Sequence, residues 1–108
     1  VTHPRHQLDA VIHNPTRFSI MAALLPADRV EFKFVRDAVE VTDSVLSQHM
    51  TALEQVGYVK ITKGQVGRRP RTWLSATPAG RAAFHAHLAI LNQLANWSPG
   101  AEQGGAST

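Results

Sequence analysis

The sequence predicts a mainly α-helical fold with one β-hairpin set between its last two helices. Three observations predict it. Apolar residues recur at helical spacing through much of residues 8–56 and again through 78–97. The period shortens to two over Tyr58–Lys63 and Arg71–Ala76, on either side of a Gly-Gln-Val-Gly run. The charge segregates with the change of period: residues 1–57 carry five basic and seven acidic side chains, whereas 58–101 carry six basic and none acidic.

A chain of 108 residues supports one domain with a modest core, and 44% apolar with 18% charged residues is a globular composition. The absence of cysteine excludes disulfides, zinc ribbons and thiol nucleophiles. No run approaches the ~20 apolar residues of a membrane span, and the start lacks the apolar core of a secretory signal. A cytoplasmic protein is expected, with a flexible N-terminus over 1–7, one domain over 8–97 and a disordered Gly/Ser-type tail over 98–108.

The elements follow in order. Leu8, Val11 and Ile12 predict a short helix ending near Asn14-Pro15, because the residue before proline resists the helical region. Pro15 opens a second helix with Phe18, Met21, Ala22 and Leu25 on one side, stopping before Pro26. Val30-Glu31 is a short extended piece. A helix over Phe32–Val39 has Phe34, Val35, Ala38 and Val39 as its stripe. Only Glu40-Val41-Thr42 separates it from the next, which begins at a Thr42 or Asp43 cap, buries Leu46, Met50 and Leu53, and stops at Gly57. A hairpin follows, its turn at Gly64–Gly67. Thr77-Pro78 then starts a final helix to about Trp97, with Ala83, Phe84, Leu88, Leu91 and Leu94 roughly on one side.

Two short helices joined by a tight turn make a helix-turn-helix, whose second helix fits a DNA major groove ~12 Å wide. With Leu46, Met50 and Leu53 inward, Ser44, Ser47, Gln48, Thr51 and Gln55 face outward. Glutamine pairs bidentately with adenine, and serine or threonine reaches bases or phosphate. Asp43 suits a cap better than a base contact, and His49 beside the core face suits packing. In the hairpin Arg68, Arg69 and Arg71 flank Pro70, where guanidinium forks suit phosphate or a narrow minor groove. Lys60 and Lys63 are expected to point away from Val59 and Ile61.

The stretches Val41–Val59, Gly67–Thr72 and Leu74–Arg81, with Asn14–Arg17 ahead of them, resemble winged helix-turn-helix transcriptional regulators of the MarR/ArsR type. The resemblance spans roughly residues 8–97. It assigns the stretches to recognition helix, wing and strand-to-helix joint, and it implies a mainly α fold with a β-hairpin wing. Residues 1–108 hold none of the longer terminal helices of larger members, which fits a compact subgroup. The implied function is sequence-specific binding of double-stranded DNA, as a repressor, with Ser44, Ser47, Gln48, Thr51, Lys60, Lys63, Arg68, Arg69 and Arg71 as the DNA-binding residues. No small-molecule effector is assigned.

Other classes are weaker. A winged helix used as a protein-interaction module is favoured by acidic residues on the outward face, and here they are missing. A metal-responsive regulator needs clustered ligands. His85 and His87 diverge on their helix, and His3 and His6 lie in the N-terminal segment. No paired carboxylates, Ser-His-Asp order or phosphate loop supports an enzyme, so no catalytic residue, cofactor or metal is expected.

The last helix, ~30 Å long, exceeds what so small a core can cover. A homodimer is therefore expected, held by Phe84, Leu88, Leu91 and Leu94 with Leu8, Val11 and Ile12. Its two-fold axis would place two recognition helices ~34 Å apart on a palindromic operator.

Overall fold

In the computed structural model, which describes residues 3–97, the chain runs through a 3-10 turn (Pro4–Gln7), α1 (Pro15–Leu24), β1 (Val30–Glu31), α2 (Phe32–Val39), α3 (Asp43–Gln55), β2 (Val59–Val66), β3 (Arg69–Ala76) and α4 (Pro78–Asn96). The expected tail, 98–108, lies outside the described residues. The three strands form one antiparallel sheet in the order β1-β3-β2.

Three of the four α-helices start on a side-chain cap, and α2 follows Glu31 without one. Asn14 accepts the N–H groups of Thr16 and Arg17, both at 3.0 Å, and Pro15 occupies the first turn of α1. Thr42 accepts Val45 N–H at 3.2 Å, which leaves Asp43 at the positive end of α3. Thr77 accepts Gly80 N–H at 3.0 Å ahead of Pro78. Left-handed residues end α2 and α3. Glu40 adopts φ 61° while Val41 N–H reaches Arg36 O, and Gly57 adopts φ 81° while Tyr58 N–H reaches Leu53 O at 3.0 Å.

The core joins Ile20, Met21 and Leu24 of α1, Val35 of α2, Leu46, Met50 and Leu53 of α3, and Val59, Leu74 and Phe84. The inward line of α3 is therefore the expected one. Three other faces differ. Ala22 of α1 is exposed, and Ile20 and Leu24 are buried in its place. Phe34 is 63% exposed, and Phe32 packs against the core instead. On α4 the buried line is Gly80, Phe84, His87 and Ile90, rotated from the expected one.

The helix expected over Leu8–Asn14 does not form. Asp9 accepts the N–H groups of Val11 and Ile12 through Oδ1, at 2.9 and 3.2 Å, and bends the chain into a turn. A short carboxylate side chain that satisfies nearby amides competes directly with helix formation.

Candidate nucleic-acid interface

Helix α3 is held by three neighbours before it presents anything outward. Arg36 of α2 bridges to Asp37 and to Asp43, each at 2.9 Å. Hydrogen bonds to Asp37 and then Asp43 raise the Arg36 pKa, so this guanidinium stays charged at any working pH, and Asp43 is occupied. Arg17 of α1 places Nη1 3.2 Å from His49 Nδ1 and donates its Nε–H to Val11 O. Burial first, and the charge of Arg17 second, push His49 below the usual imidazole value. His49 is thus a neutral acceptor tying α3 to α1, a packing role as expected from its place beside the core face. At the far end of α3, the Thr77 hydroxyl donates to Gly57 O at 2.6 Å.

With the helix so fixed, Ser44, Ser47, Gln48, Thr51 and Gln55 are all exposed. The Thr51 hydroxyl donates back to Ser47 O at 2.9 Å. Beside this face lies a cleft of about 360 Å³ between α3 and the sheet. Met50, Ile61, Leu74 and Phe32 line it with apolar surface, and Ser47, Thr51, Lys63, Thr72 and Asp43 with polar groups.

The hairpin departs from the expected layout. Its turn is the two-residue link Gly67-Arg68 between the paired Val66 and Arg69, so Gly64 and Gln65 belong to β2. Gly67 has φ 64° and Arg68 a negative φ, the signs of a type II′ turn, whose twist matches paired strands. Strand alternation then separates the basic residues. Lys63 shares the face of Val59 and Ile61 and turns toward α3, contrary to the expectation that it points away. Lys60 does point away. Arg69 and Arg71 lie with Lys60 and Trp73 on the opposite face, and Arg68 sits at the tip. Arg71 Nε is 3.5 Å from Glu31 Oε2, and Arg29 lies 4.1 Å over the Trp73 ring. The edge strand and the turn ahead of it therefore clamp the base of the wing, while Arg68 and Arg69 remain exposed.

Sequence reasoning missed several positioning groups. Arg81 counts toward the basic half of the chain, yet it donates to Leu25 O at 2.7 Å and Ala27 O at 3.1 Å, closing the end of α1. A charge count cannot tell a guanidinium that caps a helix from one that meets a partner. Among the proposed dimer residues, Ile12 is 0% and Phe84 5% exposed within the protomer, and Phe84 stacks on Phe18 at 4.8 Å. Both are withdrawn from the interface set, because the chain's own core already covers them. Leu88 is 37% exposed, and Leu8, Val11, Leu91 and Leu94 are half-buried. Among the described residues no three histidine, aspartate or glutamate side chains gather around one point, and no helix is long and apolar enough to cross a membrane.

Residues 16–95 match the family described as winged helix DNA-binding domain. The chain belongs to that family. It has the fold of a small MarR-type winged helix transcriptional regulator, as the sequence resemblance implied. A transcriptional regulator homologue from Pyrococcus horikoshii is 27% identical, with a TM-score of 0.81 over 88% of this chain and 96% of its own. An uncharacterized protein of Methanocaldococcus jannaschii is 29% identical over 84 residues, which is 78% of this chain and 91% of that one. FabT of Streptococcus pneumoniae, solved in complex with DNA, is 19% identical with a TM-score of 0.55 over 82% of this chain and 64% of its own, a likeness of fold.

Proposed function

We propose that this protein is a sequence-specific repressor that binds a palindromic DNA operator as a homodimer. The observation that carries the reading is the exposed, short-chain polar face of Ser44, Ser47, Gln48 and Thr51 on a helix anchored at both ends, with Asp43 beside it already paired to Arg36, flanked by Lys63 and by the exposed arginines of the wing. In this reading α3 enters the major groove. Gln48 and Ser47 read base edges, Arg68 and Arg69 reach phosphate or the minor groove, and Lys60 and Lys63 hold the backbone on either side. The dimer forms through the outer line of α4, Leu88, Leu91 and Leu94, with Leu8 and Val11 beside it.

Titration with mixed-sequence duplex across salt tests the binding. Affinity should fall steeply, because each neutralised phosphate releases counterions. Salt-independent binding, or none at low salt, rejects the reading. Sedimentation at micromolar concentration tests the assembly. We expect a species of twice 11.8 kDa that Leu91→Asp reduces to the monomer. A wild-type monomer rejects the dimer, and the palindrome with it.

A further inference from the structure

Behind the interface, three segments far apart in sequence meet at one residue, Asp9. The Asp9 N–H donates to His87 Nδ1 on α4 at 3.3 Å. The Tyr58 hydroxyl, one residue past the glycine that ends α3, donates to Asp9 Oδ2. Asp9 Oδ1 is filled by Val11 and Ile12 N–H. Tyr58 is itself immobilised, since its carbonyl accepts Thr77 N–H at 3.0 Å and lies against Gly80.

We propose that Asp9 is a positioning residue for the C-terminal end of α3 and that His87 gates its hold: neutral His87 latches the N-terminal segment in place, and protonated His87 releases it and weakens DNA binding. The DNA half of this inference rests on the function proposed above.

The chemistry follows from the donor count. A ring nitrogen that accepts a hydrogen bond carries no proton. Protonation of His87 would set its N–H against the Asp9 N–H inside a side chain only 2% exposed. The surroundings offer little relief. The His13 ring, 5.4 Å away, is a second potential cation, and the Phe18 ring at 5.9 Å offers no charge. The Asp9 carboxylate is the nearby anion, and both its oxygens already accept hydrogen bonds.

Burial first, and His13 second, press His87 below the ordinary imidazole value of 6.5, with Asp9 acting in the opposite sense. A histidine depressed in the latched state binds its proton more weakly there than when released. The stabilisation by neutral His87 is therefore complete above about pH 6.5 and is lost as the pH falls through that value toward the lower latched one. Burial alone would raise the Asp9 carboxyl, but Tyr58 and the two backbone N–H groups outweigh it and hold it below the carboxylate range. Asp9 thus stays ionised through this window, and His87 is the group that changes. His49 is a separate acid-sensitive contact between α1 and α3, so the test must distinguish the two.

The experiment is amide hydrogen exchange by NMR on the full chain at about pH 7.5 and about pH 5.5, with mixed-sequence duplex titrations at the same two values. In the wild type we expect a protected Asp9 amide at the higher pH, with protection beyond the intrinsic pH effect lost at the lower. His87→Asn, whose carbonyl oxygen stands where Nδ1 does and accepts the same N–H without titrating, should keep protection at both. Asp9→Ala should leave the segment unprotected at both. DNA affinity should fall on acidification in the wild type and fall less in His87→Asn, the remainder reporting His49. Undiminished protection of the wild-type Asp9 amide at low pH overturns the gate, as does a His87→Asn protein that opens like the wild type. An equal fall in affinity for both proteins, with the latch open only in the wild type, overturns the link to DNA. Absence of DNA binding at every pH removes the functional reading, and the amide data still decide the latch. If His87→Asn does not fold, the wild-type loss of protection must track the titration of the His87 ring resonances, and a mismatch overturns the gate.

Discussion

Two turns in this molecule use the same device and sit in opposite surroundings. Gly57 ends α3 at φ 81°, and Gly67 opens the tip of the wing at φ 64°. At both, a side chain would meet nothing within 4 Å, so glycine serves backbone conformation rather than space. The difference lies in the following residues. Past Gly57 the chain is gripped by Thr77, Gly80 and Asp9. Past Gly67 come Arg68 and Arg69, both exposed. Helix α3 is fixed to the body, whereas the tip keeps side-chain freedom. Direct base readout needs a fixed helix, and a phosphate contact tolerates adjustment.

The largest effect should come from tightening the gripped turn further. A Cβ on Gly80 would stand 2.0 Å from Tyr58 O, a backbone atom that cannot swing aside. Gly80→Ala should cost about 3 kcal/mol or more, lowering the thermal midpoint by roughly 12 °C or more. A loss under about 1 kcal/mol would show that the approach of α4 to Tyr58 is loose and that the contrast between the turns is overstated.

The two regions should also fail differently in DNA binding. Gln48→Ala on α3 should cost ~1–3 kcal/mol on the preferred site and relax the choice of base at one position. Arg69→Ala on the wing should weaken binding to all sequences alike and reduce the salt slope by about one. Binding titrations against a panel of single-base variants separate the two. An unchanged base preference in Gln48→Ala would remove Gln48 from readout.

A smaller pair isolates the backbone term. Gly57→Ala and Gly67→Ala should each lose about 1–2 kcal/mol of stability, since both place a Cβ in the left-handed region and neither meets a neighbour. Thermal melts of the two variants give the comparison. Only Gly67→Ala should alter the salt dependence of DNA binding. A markedly larger loss at Gly57 would mean that the Thr77 and Tyr58 contacts depend on this turn.

These contrasts mirror what could be read from the sequence. Helix α3 was legible almost to the residue, because a threonine cap, a 3.6-residue period and a terminal glycine agree with one another. The hairpin is legible as a hairpin, but Gly64 and Gly67 bracket a run that looks like a loop, whereas strand pairing continues to Val66 and confines the turn to Gly67-Arg68. In a strand, which residues share a face follows strictly from position, so misplacing Lys63 relative to Ile61 reverses its direction. The N-terminal segment carried helical spacing at Leu8, Val11 and Ile12, yet Asp9 and a histidine 78 residues away decided its shape. No local pattern announces a partner at that distance. Phe84 looked available for a second chain only because Phe18, its stacking partner, lies 66 positions earlier.

The smallest predicted effect bears on where grip ends and freedom begins along the wing. Arg71 is the arginine of the triplet nearest the body, and Glu31 holds it at 3.5 Å with both side chains partly exposed. A pair of this kind contributes under about 1 kcal/mol, so Glu31→Gln should scarcely move the melting temperature. Its consequence should appear in binding. Freed from Glu31, the Arg71 guanidinium gains reach toward phosphate, and a nearby negative charge that repels DNA is lost. Affinity for mixed-sequence duplex should rise, and the salt slope should steepen by up to about one. Should the slope stay the same while affinity rises equally at all salt concentrations, Arg71 does not reach the backbone even when released. The phosphate-binding part of the wing would then be confined to the tip, at Arg68 and Arg69.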